Sequence, residues 1–549
     1  MKHHLVPLGL AAAMAAAGVV ALPAQAQPAA TPAQACAALS GLRIPATAIT
    51  LPTGGAVVGE AVLVPATQAG NQNGEYCRVR GAIAPVDPTA PEIRFQANLP
   101  THWNRKALQF GGGGYNGRIP NTLGLEVHGL EGTPTPLARG FLTFASDSGH
   151  QAESADDASF ALNAEALHNF GYAHIRKTLD AVRQVATARY GQAPGKVYFN
   201  GGSTGGREGL TAAIRWPEAY DGVITWYPVT AYMGLRLWGA MLGRAVYDDG
   251  AAGWIPPAMV DRIARESLAR CDALDGVEDG LVSNPGRCRE GSAAALEALR
   301  CKAGETGHPA QCLTAVQVDR TMRVYHAGYA LPYAFASGNR DYLGYNSLEG
   351  IAMQIGSQAA LTSPPRSGPN AHHVDRAYQF FRYFVNGGRD LDMRQLDVTA
   401  EGPQRDRILE ISSLFDATAT DLSAFAARGG RMIFLQGNDD PSVSPWENRR
   451  HYEAIVARMG RDRADGFLRF FQIPGLAHGG GRFAPQWGSL AALDNWVEHG
   501  VPPQGQIVVD GTRSPTRGRS RPLCEYPTHA RYRGEGDVNL AASFACAAD

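Results

Sequence analysis

Lys196-Val197-Tyr198-Phe199-Asn200-Gly201-Gly202-Ser203-Thr204-Gly205-Gly206 carries the strongest structural signal in the chain. Its opening residues are a short, mostly apolar run, as in a buried strand. A helix is predicted to begin after Gly205-Gly206 and to run to about Arg215. Between the two lies Gly201-x-Ser203-x-Gly205, the spacing of a nucleophile elbow. Small neighbours permit the sharp strand-to-helix turn that lifts a serine hydroxyl clear of the backbone. G-x-S-x-G alone is a weak signal in a chain with 64 glycines; the strand before it and the helix after it give it meaning. A phosphate-binding loop would close with G-K-[ST], which is absent here.

A serine hydroxyl needs a base, and the base needs an orienting acid. In folds built on this elbow the acid comes next in sequence and the histidine last. His478 sits in the loop Pro474-Gly475-Leu476-Ala477-His478-Gly479-Gly480, after a strand predicted at 467–473. Asp439 and Asp440 both follow a strand predicted at 431–436. Asp440, which precedes Pro441, is the favoured acid, with Asp439 the runner-up. An oxyanion needs backbone N–H donors. One is expected from Thr204. The other is expected from Gly111-Gly112-Gly113-Gly114, after the strand at 107–110; Gly113 and Gly114 are the candidates, and which glycine donates is open.

Outward from these loops, strands are expected at 61–64 and 93–97. A helix is expected at 164–190, with Leu167, Phe170, Ile175, Leu179 and Val182 on one side. Near the C-terminus, strand 431–436, helix 447–459, strand 467–473 and helix 488–497 alternate as in a parallel sheet covered by helices. The expected class is α/β: an α/β-hydrolase fold with a mostly parallel central sheet and a large inserted lid domain. Residues 27–229 and 429–549 form the two parts of the catalytic domain. Residues 230–428, with four of the eight cysteines and several Gly/Pro turns, form a lid over the sheet's C-terminal edge, where α/β ligand sites lie.

The 549 residues are 44% hydrophobic and 18% charged, enough for a large core. A net charge of -1 gives no reason to expect a nucleic acid or a membrane surface as partner. Lys2, His3 and His4, an apolar stretch at 5–22 and Ala24-Gln25-Ala26 read as a signal peptide over residues 1–26. An uncleaved anchor is the alternative, and the A-x-A ending favours cleavage. The mature chain is therefore expected to be secreted or periplasmic. In such a compartment eight cysteines suggest four disulfides. Connectivity does not follow from sequence alone. The simplest scheme is the four local pairs Cys36–Cys77, Cys271–Cys288, Cys301–Cys312 and Cys524–Cys546.

Further segments are similar to one family. They are Trp103-Asn104-Arg105, Asp147-Ser148-Gly149-His150, Gly201 to Arg207, Arg215 to Gly222, Gly437 to Tyr452 and Pro474 to Gly480. Together they resemble the tannase and feruloyl esterase family over most of the mature chain. The resemblance implies hydrolysis of small aromatic esters (feruloyl, galloyl or terephthalate monoester) through an acyl-enzyme on Ser203, and it matches the four local cysteine pairs. It also implies a structural Ca2+ in the lid, held by Asp272, Asp275 and Asp279 with the carbonyls of Val277 and Leu281. Oxygen ligands on a disulfide-closed loop suit such a hard cation.

One departure stands out. The family usually places bridged cysteines directly before the serine and directly after the histidine, where this chain has Gly202 and Gly479. Three weaker features are read as structural: His372-His373 as surface residues, Phe380 to Phe384 with Arg382 as a helix packed within the lid, and His150. A peptidase of similar fold and a non-catalytic binding module are the competing readings.

Overall fold

The computed structural model describes residues 1–5, 31–305, 310–512 and 514–548. The signal peptide expected over 1–26 therefore lies outside the described residues, its first five excepted. Ten strands form the central sheet: β1 (Arg43–Ile44), β2 (Ala56–Val64), β3 (Tyr76–Ile83), β4 (Ile93–Pro100), β5 (Lys106–Phe110), β6 (Leu142–Ser146), β7 (Lys196–Gly202), β8 (Gly222–Trp226), β9 (Arg431–Gly437) and β10 (Leu468–Ile473). Their order is β1-β2-β3-β4-β6-β5-β7-β8-β9-β10. β1 to β4 and the β4–β6 pair run antiparallel. Every pairing from β6 through β5, β7, β8 and β9 to β10 is parallel. β6 and β8 are buried at every residue, as parallel strands covered on both faces must be.

Helices Thr204–Arg215 and Pro445–Met459 cover one face with His174–Tyr190, burying Leu210, Ile455 and Leu179 beside Phe199 and Phe434. Ser489–His499 covers the other, its Leu490, Leu493 and Trp496 packing with Leu108, Tyr198 and Ile224. This is the expected α/β-hydrolase architecture. The helix expected at 164–190 departs from regularity. A π-helical turn at Asn169–Ala173 separates Ala164–His168 from His174–Tyr190. Its Phe170 and Gly171 carbonyls accept from buried Arg207 at 3.1 and 2.6 Å. The wider turn frees carbonyls that an α-helix would use internally.

Between β8 and β9 the chain leaves the sheet and builds its own apolar cluster, which includes Trp238, Tyr325, Tyr345, Phe380 and Phe384. Helix His372–Phe380 packs on helix Tyr232–Ala251, whose Asp248–Gly250 are non-helical. Tyr115, Phe170 and Val443 join the cluster from the sheet side and seat the insertion over the loops that follow β5 and β9. Near its end, Ala417, Leu422 and Phe425 already pack with the helices under the sheet, so side-chain packing changes hands ahead of residue 428. The four local cysteine pairs are bonded, with Cα separations of 5.6, 5.4, 4.9 and 5.4 Å. Among the described residues no helix is long and apolar enough to cross a membrane.

Candidate active site

Ser203 follows β7 with φ 60° and ψ -124°, a conformation side chains rarely adopt. It is stabilised by its surroundings: the Ser203 amide donates to Trp226 O at 3.0 Å, and its carbonyl accepts from Arg207 and Val229. The glycines around it permit close approach. A Cβ on Gly201 would lie 2.4 Å from Gly205 O, and one on Gly205 would lie 2.6 Å from Gly112 O. The turn is tight because strand, helix and glycine loop meet backbone to backbone.

His478 Nδ1 donates to Asp440 Oδ2 at 2.9 Å. Asp440 is fully buried, and its other oxygen accepts from the Ser442 and Val443 amides at 2.7 and 2.9 Å. The carboxylate is fixed on both sides. Asp439 points elsewhere: Arg482 Nη1 lies 3.4 Å from its Oδ2. Burial, opposed by Arg482, pushes the Asp439 carboxyl up to about 6. Ser203 and His478 line the same cavity. The Ser203 hydroxyl makes no hydrogen bond among the described residues; contacts between a serine and its base often tighten only on substrate.

In the glycine run, Gly111 N donates to Asn200 O at 2.9 Å and Gly112 N to Glu208 Oε2 at 3.0 Å. Gly113 and Gly114 line the cavity with Ser203 and Thr204, and their amides have no acceptor among the described residues. The Thr204 hydroxyl donates to Gly114 O at 2.7 Å, locking the run to helix Thr204–Arg215. Fully buried Glu208 adds a second tie, accepting from Asn116 Nδ2 at 2.5 Å beside His174, whose Nε2 is 3.5 Å away. Nothing local in sequence marks Glu208, because its partners lie 92 and 96 residues earlier in the chain.

Tyr227 occupies the space between Gly202 and Gly479. A Cβ on Gly202 would meet its ring at 2.9 Å, and one on Gly479 would lie 3.9 Å from its hydroxyl. The ring packs on His478 with centroids 4.6 Å apart. The hydroxyl hydrogen-bonds with His128 Nε2 at 3.1 Å. Burial holds the His128 pKa down at about 4, so this imidazole is neutral and can accept. Tyr227 itself has φ 34°, with its amide bonded to Leu435 O at 2.7 Å. Packing of a buried aromatic ring thus joins the Gly202 and Gly479 sides of the site.

The cavity measures about 630 Å³ and corrects one expectation. His373 is buried rather than on the surface, and half-buried His372 lines the cavity beside it. His373 is 2% exposed and bonds Pro441 O at 3.0 Å, which ties the insertion to the Asp440 loop. Helix His372–Phe380 comes this close because Gly239 faces the His373 carbonyl, which a Cβ would meet at 2.3 Å. Burial pushes the His372 pKa down to about 4, helped by Arg376 and Arg236. Arg382 faces away from the cavity, donating to Gly388 O and Tyr378 Oη at 3.1 Å. His150 is buried and stacked on Phe160 at 3.7 Å.

The acidic loop lies elsewhere, closed by Cys271–Cys288. Asp275 Oδ2 is buried with no hydrogen-bond partner among the described residues; burial, opposed by Ser283 and reinforced by the charges of Asp279 and Asp272, pushes this carboxyl up to about 6. The Asp272 carboxylate accepts from the Asp279 and Gly280 amides. Asp279 pairs with buried Arg521. The three carboxylates do not all come within 4.8 Å of one another. Oxygen donors, an orphaned buried oxygen and crowded like charge fit a hard cation, with Arg521 supplying part of the counter-charge. Cys301, Glu305 and Cys312 do converge, but a disulfide uses both sulfurs.

A family model described as tannase and feruloyl esterase matches residues 77–547. An uncharacterized esterase of Agrobacterium fabrum is 57% identical, covering 94% of this chain and 93% of its own. A mono(2-hydroxyethyl) terephthalate hydrolase of Piscinibacter sakaiensis is 31% identical, covering 88% of this chain and 87% of its own. The crystal structure of feruloyl esterase B from Aspergillus oryzae matches with a TM-score of 0.73 at 24% identity, covering 94% of this chain and 100% of its own. At that identity the structural likeness speaks to the fold.

Proposed function

The chain belongs to the tannase and feruloyl esterase family, and from that premise we propose that it hydrolyses esters of aromatic acids through an acyl-enzyme on Ser203. Ester hydrolysis of small molecules is the family's activity. The observation that carries the assignment of residues is the buried Asp440 carboxylate bonded to His478 at the cavity that Ser203 lines. His478 Nε2 takes the hydroxyl proton as Ser203 Oγ bonds to the ester carbonyl carbon. Asp440 holds Nδ1–H, fixing the tautomer and stabilising the imidazolium. The carbonyl oxygen becomes an oxyanion, met by the amides of Thr204 and of Gly113 or Gly114. Collapse breaks the bond to the alkoxy oxygen, which leaves with the proton from His478. Water then repeats the sequence on the acyl-enzyme and releases the acid.

Aromatic acids are supported by relatives named for terephthalate monoester and feruloyl ester hydrolysis. A panel of methyl ferulate, methyl gallate and mono(2-hydroxyethyl) terephthalate measures this directly. At least one is expected to be hydrolysed with ordinary enzymatic efficiency, kcat/KM of about 10⁴ M⁻¹s⁻¹ or more. If only amide substrates turn over, the proposal fails. Export is supported by the four disulfides.

We also propose that Asp272, Asp275 and Asp279 hold Ca2+ with the carbonyls of Val277 and Leu281, in a structural role behind the His478 loop, where Leu281 packs against Gly475. Removing the ion with a chelator is expected to lower Tm, and added Ca2+ to restore it. At free ion about 100-fold above Kd the linkage is about 2.7 kcal/mol. Asp275→Asn should abolish this response; a Tm indifferent to chelator in the wild type would refute the site.

A further inference from the structure

The cavity beside Ser203 has two guanidinium groups in its wall, Arg236 and Arg376, and no aspartate or glutamate among the described residues that line it. The two arginines differ in their partners. Arg376 pairs with Asp156 outside the cavity and donates to Ala155 O at 3.0 Å. Arg236 has no acidic partner among the described residues. It is 6% exposed, and its Nε is buried without an acceptor. The Tyr115 and Tyr232 rings lie 5.0 and 4.7 Å from its guanidinium carbon. Tyr115 is itself anchored, its hydroxyl donating to Arg376 O at 2.9 Å.

Burying a guanidinium without a counter-charge is costly, and proteins normally pair such a group. Aromatic faces offset part of that cost and hold the plane of the group in place. They leave its in-plane donors without an anion. A neutral ester cannot supply one, so the anion has to sit elsewhere on the molecule that fills the cavity. A carboxylate matches the planar fork of arginine through two parallel N–H bonds, and it is the anion that an ester of an organic acid most readily carries.

Building on the ester hydrolysis proposed above, we infer that Arg236 is a substrate-recognition residue, binding a carboxylate that the ester carries apart from its scissile bond. Arg376, already paired, contributes field rather than the primary contact. The protein is then selective for singly charged esters over neutral ones of the same shape.

The test is a matched set of substrates for the full-length protein. Monomethyl terephthalate carries the charge on the acid part and carboxymethyl benzoate carries it on the alcohol part. Dimethyl terephthalate and methyl benzoate are the neutral counterparts. In the wild type, one charged ester should exceed its neutral counterpart in kcat/KM by about 10- to 100-fold, the range for a hydrogen bond between charged groups. The arm that shows the preference identifies the side that carries the carboxylate. Arg236→Gln should erase the preference while still hydrolysing the neutral esters, and Arg236→Lys should retain part of it. Because Arg236 is packed between two rings, Tm is measured alongside. Inhibition of methyl benzoate hydrolysis by free terephthalate gives a second readout, expected to weaken in Arg236→Gln by a similar factor. A wild type that takes charged and neutral esters equally, or a folded Arg236→Gln that keeps the preference, overturns the inference and leaves ester hydrolysis standing. A wild type that hydrolyses none of the four overturns the inference, and ester hydrolysis falls with it only if methyl ferulate and methyl gallate are also left intact.

Discussion

Ser203→Ala is expected to lower kcat for ester hydrolysis by about 10⁶-fold, close to the loss from removing a whole triad. What remains should be the residual catalysis of a bound substrate facing the oxyanion donors, about 10³- to 10⁴-fold over water. The variant should fold, because the strain at this position lies in the backbone (φ 60°, ψ -124°) and alanine experiences it much as serine does. The contacts that maintain the turn are also backbone contacts, to Trp226, Arg207 and Val229. A fluorophosphonate probe should label the wild type at this serine and leave the variant unlabelled. A folded Ser203→Ala protein that keeps a tenth of wild-type kcat would remove Ser203 from the mechanism.

The residues of the proposed triad were legible as candidates because each lies in a short segment with its own signature: strand, tight turn and helix for Ser203, and strand-end loops for Asp440 and His478. The α/β alternation was legible for the same reason, since hydrophobic period is a local property. The residues that escaped notice act across long separations. Tyr227 meets His128 from 99 residues away, and His373 meets Pro441 from 68 residues away. Neither carries a motif. Adjacent histidines without a spaced carboxylate read as solvated; burial against helix Tyr232–Ala251 decides otherwise, and that burial is tertiary. Arg236 was missed because an unpaired guanidinium can be recognised only once every possible partner has been placed. Gly202 and Gly479 were legible as the positions where the resemblance expects bridged cysteines. What fills the space between them was not, because a tyrosine at positive φ is a backbone exception that composition does not announce.

Asp440→Asn is expected to cost about 10⁴-fold in kcat with little change in KM, whereas Asp439→Asn should change kcat by less than about 10-fold. The two residues are neighbours in sequence and both are buried, so only their partners separate them. Asp440 Oδ2 accepts the Nδ1–H of His478 at 2.9 Å. An asparagine there can turn its NH₂ toward Nδ1, which moves the imidazole proton to Nε2, the nitrogen that must accept from Ser203. The base is then in the wrong tautomer while the loop stays folded, because the asparagine carbonyl can still accept from the Ser442 and Val443 amides that now hold Oδ1. Asp439 faces Arg482 and does not touch the imidazole, so a neutral amide there leaves the Asp440–His478 hydrogen bond in place. Steady-state kinetics on the two single variants separate the roles. The deep loss falling on Asp439→Asn would mean that the loop after β9 rearranges on substrate binding and that the acid has been misassigned.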